Sequence, residues 1–133
     1  MRKLPVNTFV SLDCVMQAPG GPEEKPSGAL THGGWSVNYW DDTMMAAMGD
    51  YTGKPFELLL GGKTYEVFAA SWPHVSDDPA PDVLNAAPKR VVSRTLDKTE
   101  WQNSTLSRAT LRDTSASSKN RRGRRSRCTA AAT

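Results

Sequence analysis

Four consecutive residues, Gly61-Gly62-Lys63-Thr64, are of types that can hold a phosphate group. The glycines let the backbone approach a ligand closely. A helix starting there would add the N–H groups and positive dipole end of its first turn, and Lys63 and the Thr64 hydroxyl would complete the set. The spacing is not that of a Walker P-loop, which requires an earlier glycine, and an ordinary tight strand-to-helix turn uses the same residues. A second polar run, Ser93-Arg94-Thr95, offers hydroxyls and a guanidinium. In open α/β sheets ligands meet the C-terminal ends of strands, so two such runs make an anionic ligand as good a reading as its plainer alternative. The plainer alternative has Arg94 pairing with a surface carboxylate for at most about 1 kcal/mol.

Three aspartates are of the type that moves protons: Asp13 after a first strand, and Asp41 and Asp42 at a helix start. Turn formation and compensation of the helix dipole account for them more simply. His32 and His74 each stand in a Gly/Pro-rich loop without a second ligand at metal spacing, so no metal site is predicted. Trp35 and Trp40 are the aromatic residues that could line a pocket for a flat ligand, while the other tryptophans and the methionines read as core.

The elements that must position these groups can be read from hydrophobic pattern. Residues 4–12 are mostly apolar or β-prone and predict a buried first strand, although Pro5 cannot donate to a ladder. Residues 17–34 are dense in Gly and Pro and predict a loop. Residues 38–51 predict a helix over one face of a sheet, with Asn38 as its N-cap and Trp40, Met44, Met45 and Met48 at helical spacing. An apolar strand over 55–62 then leads through its glycines into a helix carrying Tyr65, Phe68, Ala69 and Trp72. A loop, a short helix ending before Pro88, a strand over 90–96 and a further one over 101–106 complete an alternation that argues for an α/β sheet.

Charge divides the chain. Residues 1–106 carry nine Lys/Arg against thirteen Asp/Glu, and residues 107–133 carry eight against one, so the basic character of the whole belongs to the tail. That tail has no aromatic residue and no apolar period, and it is predicted to be disordered. A basic arm binding nucleic acid or acidic surfaces is the alternative function. Without aromatics to stack bases it would be non-specific and salt-sensitive, and no specific nucleic-acid partner is expected. Cys14 and Cys128 show no paired or metal-type spacing and read as free thiols in a reducing compartment. With neither a signal peptide nor an apolar run of spanning length, a cytoplasmic protein with no membrane partner is expected.

Four motifs, "TFVSLDCVMQAPGGPEE", "GGWSVNYWDD", "LLLGGKTYEVFAASWP" and "KRVVSRTL", occur in an order that resembles the dihydrofolate-reductase-like family. The likeness is to small stand-alone bacterial proteins similar to the C-terminal reductase domain of the riboflavin-pathway deaminase-reductase, and it is read over residues 2 to about 106. The resemblance implies an incomplete doubly wound α/β sheet with flanking helices that takes a hydride from NADPH. Its substrate would be a small molecule, a pteridine or a ribosylaminopyrimidine, and related domains are often homodimers. By the same resemblance Thr8, Ser11, Asp13 and Cys14 lie on the nicotinamide side. Gly61, Gly62, Lys63 and Thr64 hold cofactor phosphate, and Ser93, Arg94 and Thr95 meet the adenosine 2′-phosphate. Trp40, Asp41 and Asp42 fall near the substrate, either aspartate being the one that assists its protonation.

The departures from that pattern are specific. Where the family usually has Gly, Arg and an aliphatic residue, this chain has Cys14, Gly62 and Pro5. The helix, strand and His-Gly-Ser-Gly loop that the resemblance implies next are absent beyond residue 106. Back-translated one nucleotide upstream, residues 128–133 permit Val-His-Gly-Ser-Gly-Asn and residues 109–112 permit Gly-Asp-Val-Ala. The expectation is therefore a frameshift near residue 107, leaving residues 1–106 as the N-terminal part of a reductase domain and 107–133 as an unrelated tail. Such a chain would bind NADPH weakly, with impaired activity; the nucleotide sequence of the gene is the check on the frame.

Overall fold

The computed structural model describes residues 4–21, 30–75, 79–110, 112–114, 116 and 125–129. In chain order the elements are β1 (Val6–Asn7), a 3-10 turn (Val37–Tyr39), α1 (Asp42–Thr52), β2 (Phe56–Gly61), α2 (Gly62–Ser71), α3 (Pro79–Ala86), β3 (Lys89–Val92), β4 (Ser104–Ser107) and β5 (Arg125–Thr129). One compact unit comprises Met1–Asn7 with Pro55–Ala130, and another comprises Thr8–Lys54.

The first unit is a parallel sheet of order β1-β5-β2-β3-β4. From β2 the chain steps outward through β3 to β4, then returns to the far side of β2 as β5, which is the doubly wound topology expected. β2 reads Phe-Glu-Leu-Leu-Leu-Gly and buries every residue but the last. A near-continuous apolar run of this kind belongs to an interior parallel strand, because both faces are covered. β3 alternates instead, with Lys89 and Val91 buried and Arg90 and Val92 half-buried. Arg90 and Glu57 form an ion pair that joins β3 to β2.

The core gathers Phe56, Leu58, Leu60, Tyr65, Val91 and Trp101, with Phe68, Trp72 and Leu84 packed on it. The period-3.6 residues predicted for the second helix thus face the sheet. Tyr65 and Trp101 pack with ring centroids 6.3 Å apart. The Tyr65 hydroxyl accepts the backbone N–H of Glu100 and of Trp101, both at 2.9 Å.

Lys89 is 1% exposed, and its ammonium donates to the carbonyls of Asn85 (3.0 Å), Ala87 (2.8 Å) and Gln102 (3.1 Å) while lying 4.1 Å from the centre of the Trp101 ring. It fastens the end of α3 to the β3–β4 connection. Burial pushes this lysine down to about 8 from 10.5. Between those values the unfolded chain holds a proton that the folded chain has released, so stability is expected to rise as pH increases through that window. Chemical-denaturation midpoints measured from pH 7.5 to 10.5 check this; a flat or falling profile that does not change in Lys89→Met would contradict it.

Several elements differ from the sequence reading. The first strand is confined to Val6–Asn7 in place of 4–12, beginning just after Pro5, where a missing donor is tolerated. α1 is capped by Asp41, whose carboxylate accepts the Met44 N–H at 2.8 Å, and not by Asn38, which lies in the 3-10 turn. α1 buries none of its residues: Met44 and Met48 are only half-buried, and Met45 is exposed. β3 stops at Val92, because Ser93 turns the chain, and β4 begins at Ser104, after the left-handed Asn103 (φ 59°).

The largest difference is β5. The composition of 107–133 predicts no element, yet Arg125–Thr129 runs between β1 and β2. Parallel pairing draws on backbone groups that every residue except proline carries, so side-chain composition does not reveal such a strand. Among the described residues no helix is long and apolar enough to cross a membrane.

Candidate functional site

The C-terminal ends of β2, β3 and β4 fall in line: Gly61 is in register with Val92, and Val92 with Ser107. The segments leaving these three ends therefore share one edge of the sheet. After β2, α2 begins with no linker, Gly61 serving as an extended N-cap (φ −76°, ψ 163°) that contributes no side-chain cap. The first-turn N–H groups and the positive end of the helix dipole are thus directed at this edge.

The two glycines differ in kind. A Cβ on Gly61 would meet nothing within 4 Å, whereas one on Gly62 would lie 2.8 Å from Ser93 Oγ and 3.2 Å from Ser93 Cβ. At Gly62 a Cβ would need Ser93 to shift, because the end of β3 presses against the start of α2. This contact brings the two polar runs of the sequence together.

Within that edge the predicted residues divide by exposure. Lys63, Arg94 and Thr95 are exposed, while Thr64 and Ser93 are buried, at 4% and 8% exposed. Ser93 is occupied in shaping the turn. Its Oγ accepts from the N–H of Thr95 (3.2 Å) and of Leu96 (3.1 Å), and it pairs with the Thr95 hydroxyl at 3.2 Å. The exposed polar groups of this edge are therefore the Lys63 ammonium, the Arg94 guanidinium and the Thr95 hydroxyl, beside the first turn of α2. One residue absent from the sequence reading lies behind them: Arg108, just past β4, donates to the Arg94 carbonyl at 2.9 Å. Its signal in the sequence is its place just beyond a short strand, hidden by its membership of the basic tail.

The remaining predicted residues lie in the second unit. Ser11 and Val15 close a tight turn, Ser11 N–H to Val15 O at 3.0 Å and Val15 N–H to Ser11 Oγ at 2.9 Å, with the Ser11 hydroxyl donating to Asp13. Cys14 sits in this turn, exposed, with φ 65°. The Thr8 hydroxyl meets the Phe9 carbonyl at 3.3 Å and the Met16 sulfur at 3.7 Å. Trp35 donates its indole N–H to Gln17 O at 2.8 Å. Trp40 is 41% exposed, its ring 6.0 Å from that of Phe9. Asp41 caps α1, and Asp42 is exposed in its first turn. Among the described residues no cluster of His, Cys, Asp and Glu forms a metal site.

Cys14 occupies the left-handed region, which costs a non-glycine residue about 1–2 kcal/mol. Glycine there would gain this and lose part of it to greater freedom in the unfolded chain, roughly 0.4–1 kcal/mol. Cys14→Gly is therefore expected to stabilise the protein by roughly 0.5 kcal/mol, and a lower thermal midpoint than the parent's would contradict the assignment of strain.

A doubly wound parallel sheet with a glycine strand-to-helix turn at the C-terminal ends of its strands is consistent with a dihydrofolate-reductase-like α/β domain. The chain belongs to the RibD C-terminal domain family, whose model matches residues 2–127. The match extends past residue 106, where the motif resemblance ends. It makes this a reductase-type domain of riboflavin biosynthesis, of a family that generally binds NADPH. No curated protein matches the chain.

Proposed function

We propose that this chain is an NADPH-dependent reductase acting on a pteridine or ribosylaminopyrimidine. The single observation that supports this best is the contact of Gly62 with Ser93, which joins the N-terminus of α2 to the turn after β3. A phosphorylated nucleotide fits that edge, because it meets helix N–H groups, an ammonium and a guanidinium within one stretch of surface. When bound, NADPH supplies the hydride. Lys63 and the first turn of α2 hold a phosphate, and Arg94 with Thr95 holds a second, the 2′-phosphate that distinguishes NADPH from NADH.

Within the second unit Trp40 offers an exposed flat apolar surface. Asp41 is engaged with the Met44 N–H, which leaves Asp42 the freer of the two carboxylates to pass a proton to substrate.

Arg94→Gln is expected to weaken NADPH binding about tenfold, the loss of one charge-assisted hydrogen bond, while leaving NADH binding unchanged. Fluorescence titration with both nucleotides measures this. Equal losses for the two would remove Arg94 from recognition of the 2′-phosphate.

A further inference from the structure

The β3–β4 ladder continues past the end of β3, the Ser93 N–H donating to Ser107 O at 3.2 Å. One residue on, Arg108 places Nη1 2.9 Å from the Arg94 carbonyl and Nη2 3.6 Å from Asp97 Oδ1. The pair with Asp97 is weak on its own, since Asp97 is 97% and Arg108 55% exposed. The contact with the carbonyl has a further consequence. The Arg94 C=O and the Thr95 N–H belong to one planar peptide unit. Arg108 holds its carbonyl end and Ser93 Oγ holds its N–H end, at 3.2 Å. Hydrogen bonds at both ends resist rotation of this peptide plane, and the side chains on either side of it are those of Arg94 and Thr95.

We infer that Arg108 is a positioning residue for the Arg94-Thr95 turn, and that through this turn it sets the preference for a ligand carrying a phosphate on its ribose over one without. The inference rests on the proposed role of residues 93–95. Arg108 does not touch the ligand. It fixes the plane from which the guanidinium of Arg94 and the hydroxyl of Thr95 project, so that the donors converge without an ordering cost at binding. Lysine cannot substitute, because a single ammonium on a flexible stem lacks the fork that spans the carbonyl and the Asp97 side.

The test uses the full chain with Arg108→Gln and Arg108→Lys variants. Adenosine 2′,5′-bisphosphate and 5′-AMP serve as calorimetric probes, and amide exchange at Thr95 is measured without ligand. The parent is expected to prefer the bisphosphate. Both variants are expected to lose about tenfold in bisphosphate affinity, to keep their affinity for 5′-AMP, and to exchange the Thr95 amide faster. A parent that discriminates alongside an Arg108→Gln that discriminates equally, or an Arg108→Lys equal to the parent in affinity and exchange, overturns the inference alone. Equal affinity of the parent for both probes overturns the reading of residues 93–95 and the inference with it.

Discussion

Replacing Gly62 by alanine is expected to destabilise the protein by about 1–3 kcal/mol and to abolish nucleotide binding, while the same change at Gly61 leaves both intact. The contrast comes from surroundings, since only at Gly62 would the new Cβ come within 2.8 Å of Ser93 Oγ and 3.2 Å of Ser93 Cβ. Ser93 cannot yield cheaply. Its hydroxyl accepts the N–H groups of Thr95 and Leu96, so moving it opens the turn that presents Arg94 and Thr95. Shortening Ser93 to alanine removes the closer of the two contacts. The Gly62→Ala/Ser93→Ala pair is therefore expected to show a coupling of about 1 kcal/mol, the double variant being less damaged than the sum of the singles. Strict additivity in denaturation would show that the two residues do not press on one another. The same contact bears on the arginine that the family resemblance implies at position 62. Gly62→Arg also introduces a Cβ, so it is not a simple gain of charge.

Removing the Tyr65 hydroxyl has the second large effect. Tyr65→Phe keeps the ring against Trp101 but leaves the N–H groups of Glu100 and Trp101 without their acceptor. Trp101 is 6% exposed, so at least its N–H has no ready access to water, and an unsatisfied buried donor costs about 1–3 kcal/mol. Thermal melting should show a midpoint lower by roughly 10 °C. A drop of a degree or less would mean that another acceptor takes over the turn at residues 100–101.

The boundary between legible and hidden features is physical. β2, α2 and the glycine turn between them are legible because burial on both faces writes Phe-Glu-Leu-Leu-Leu, and one-faced burial writes Tyr65, Phe68, Ala69 and Trp72. The polar runs at 61–64 and 93–95 are legible by type. Their division of labour is not, since alternation along β3 turns Ser93 inward and Arg94 outward only once the strand's end is fixed. Asp41 and Asn38 are equally good caps on paper, and the entry of the chain into α1 decides between them. Lys89 reads as an ordinary surface residue because its three partners are backbone carbonyls, which have no sequence signature. β5 is hidden most completely. Its Arg-Ser-Arg-Cys-Thr contains none of the Val, Ile or Leu that interior parallel strands carry, and backbone pairing sets it between β1 and β2. Arg108 is hidden for the same reason, its charge merging with that of the tail.

The account depends most on the sheet edge that joins the start of α2 to the turn after β3. Amide chemical shifts recorded while adenosine 2′,5′-bisphosphate is titrated into the full chain report on that edge residue by residue. Saturable shifts are expected, the largest at Gly62, Lys63, Arg94 and Thr95. Shifts centred elsewhere, or none at millimolar ligand, would contradict the assignment of this edge as the phosphate site.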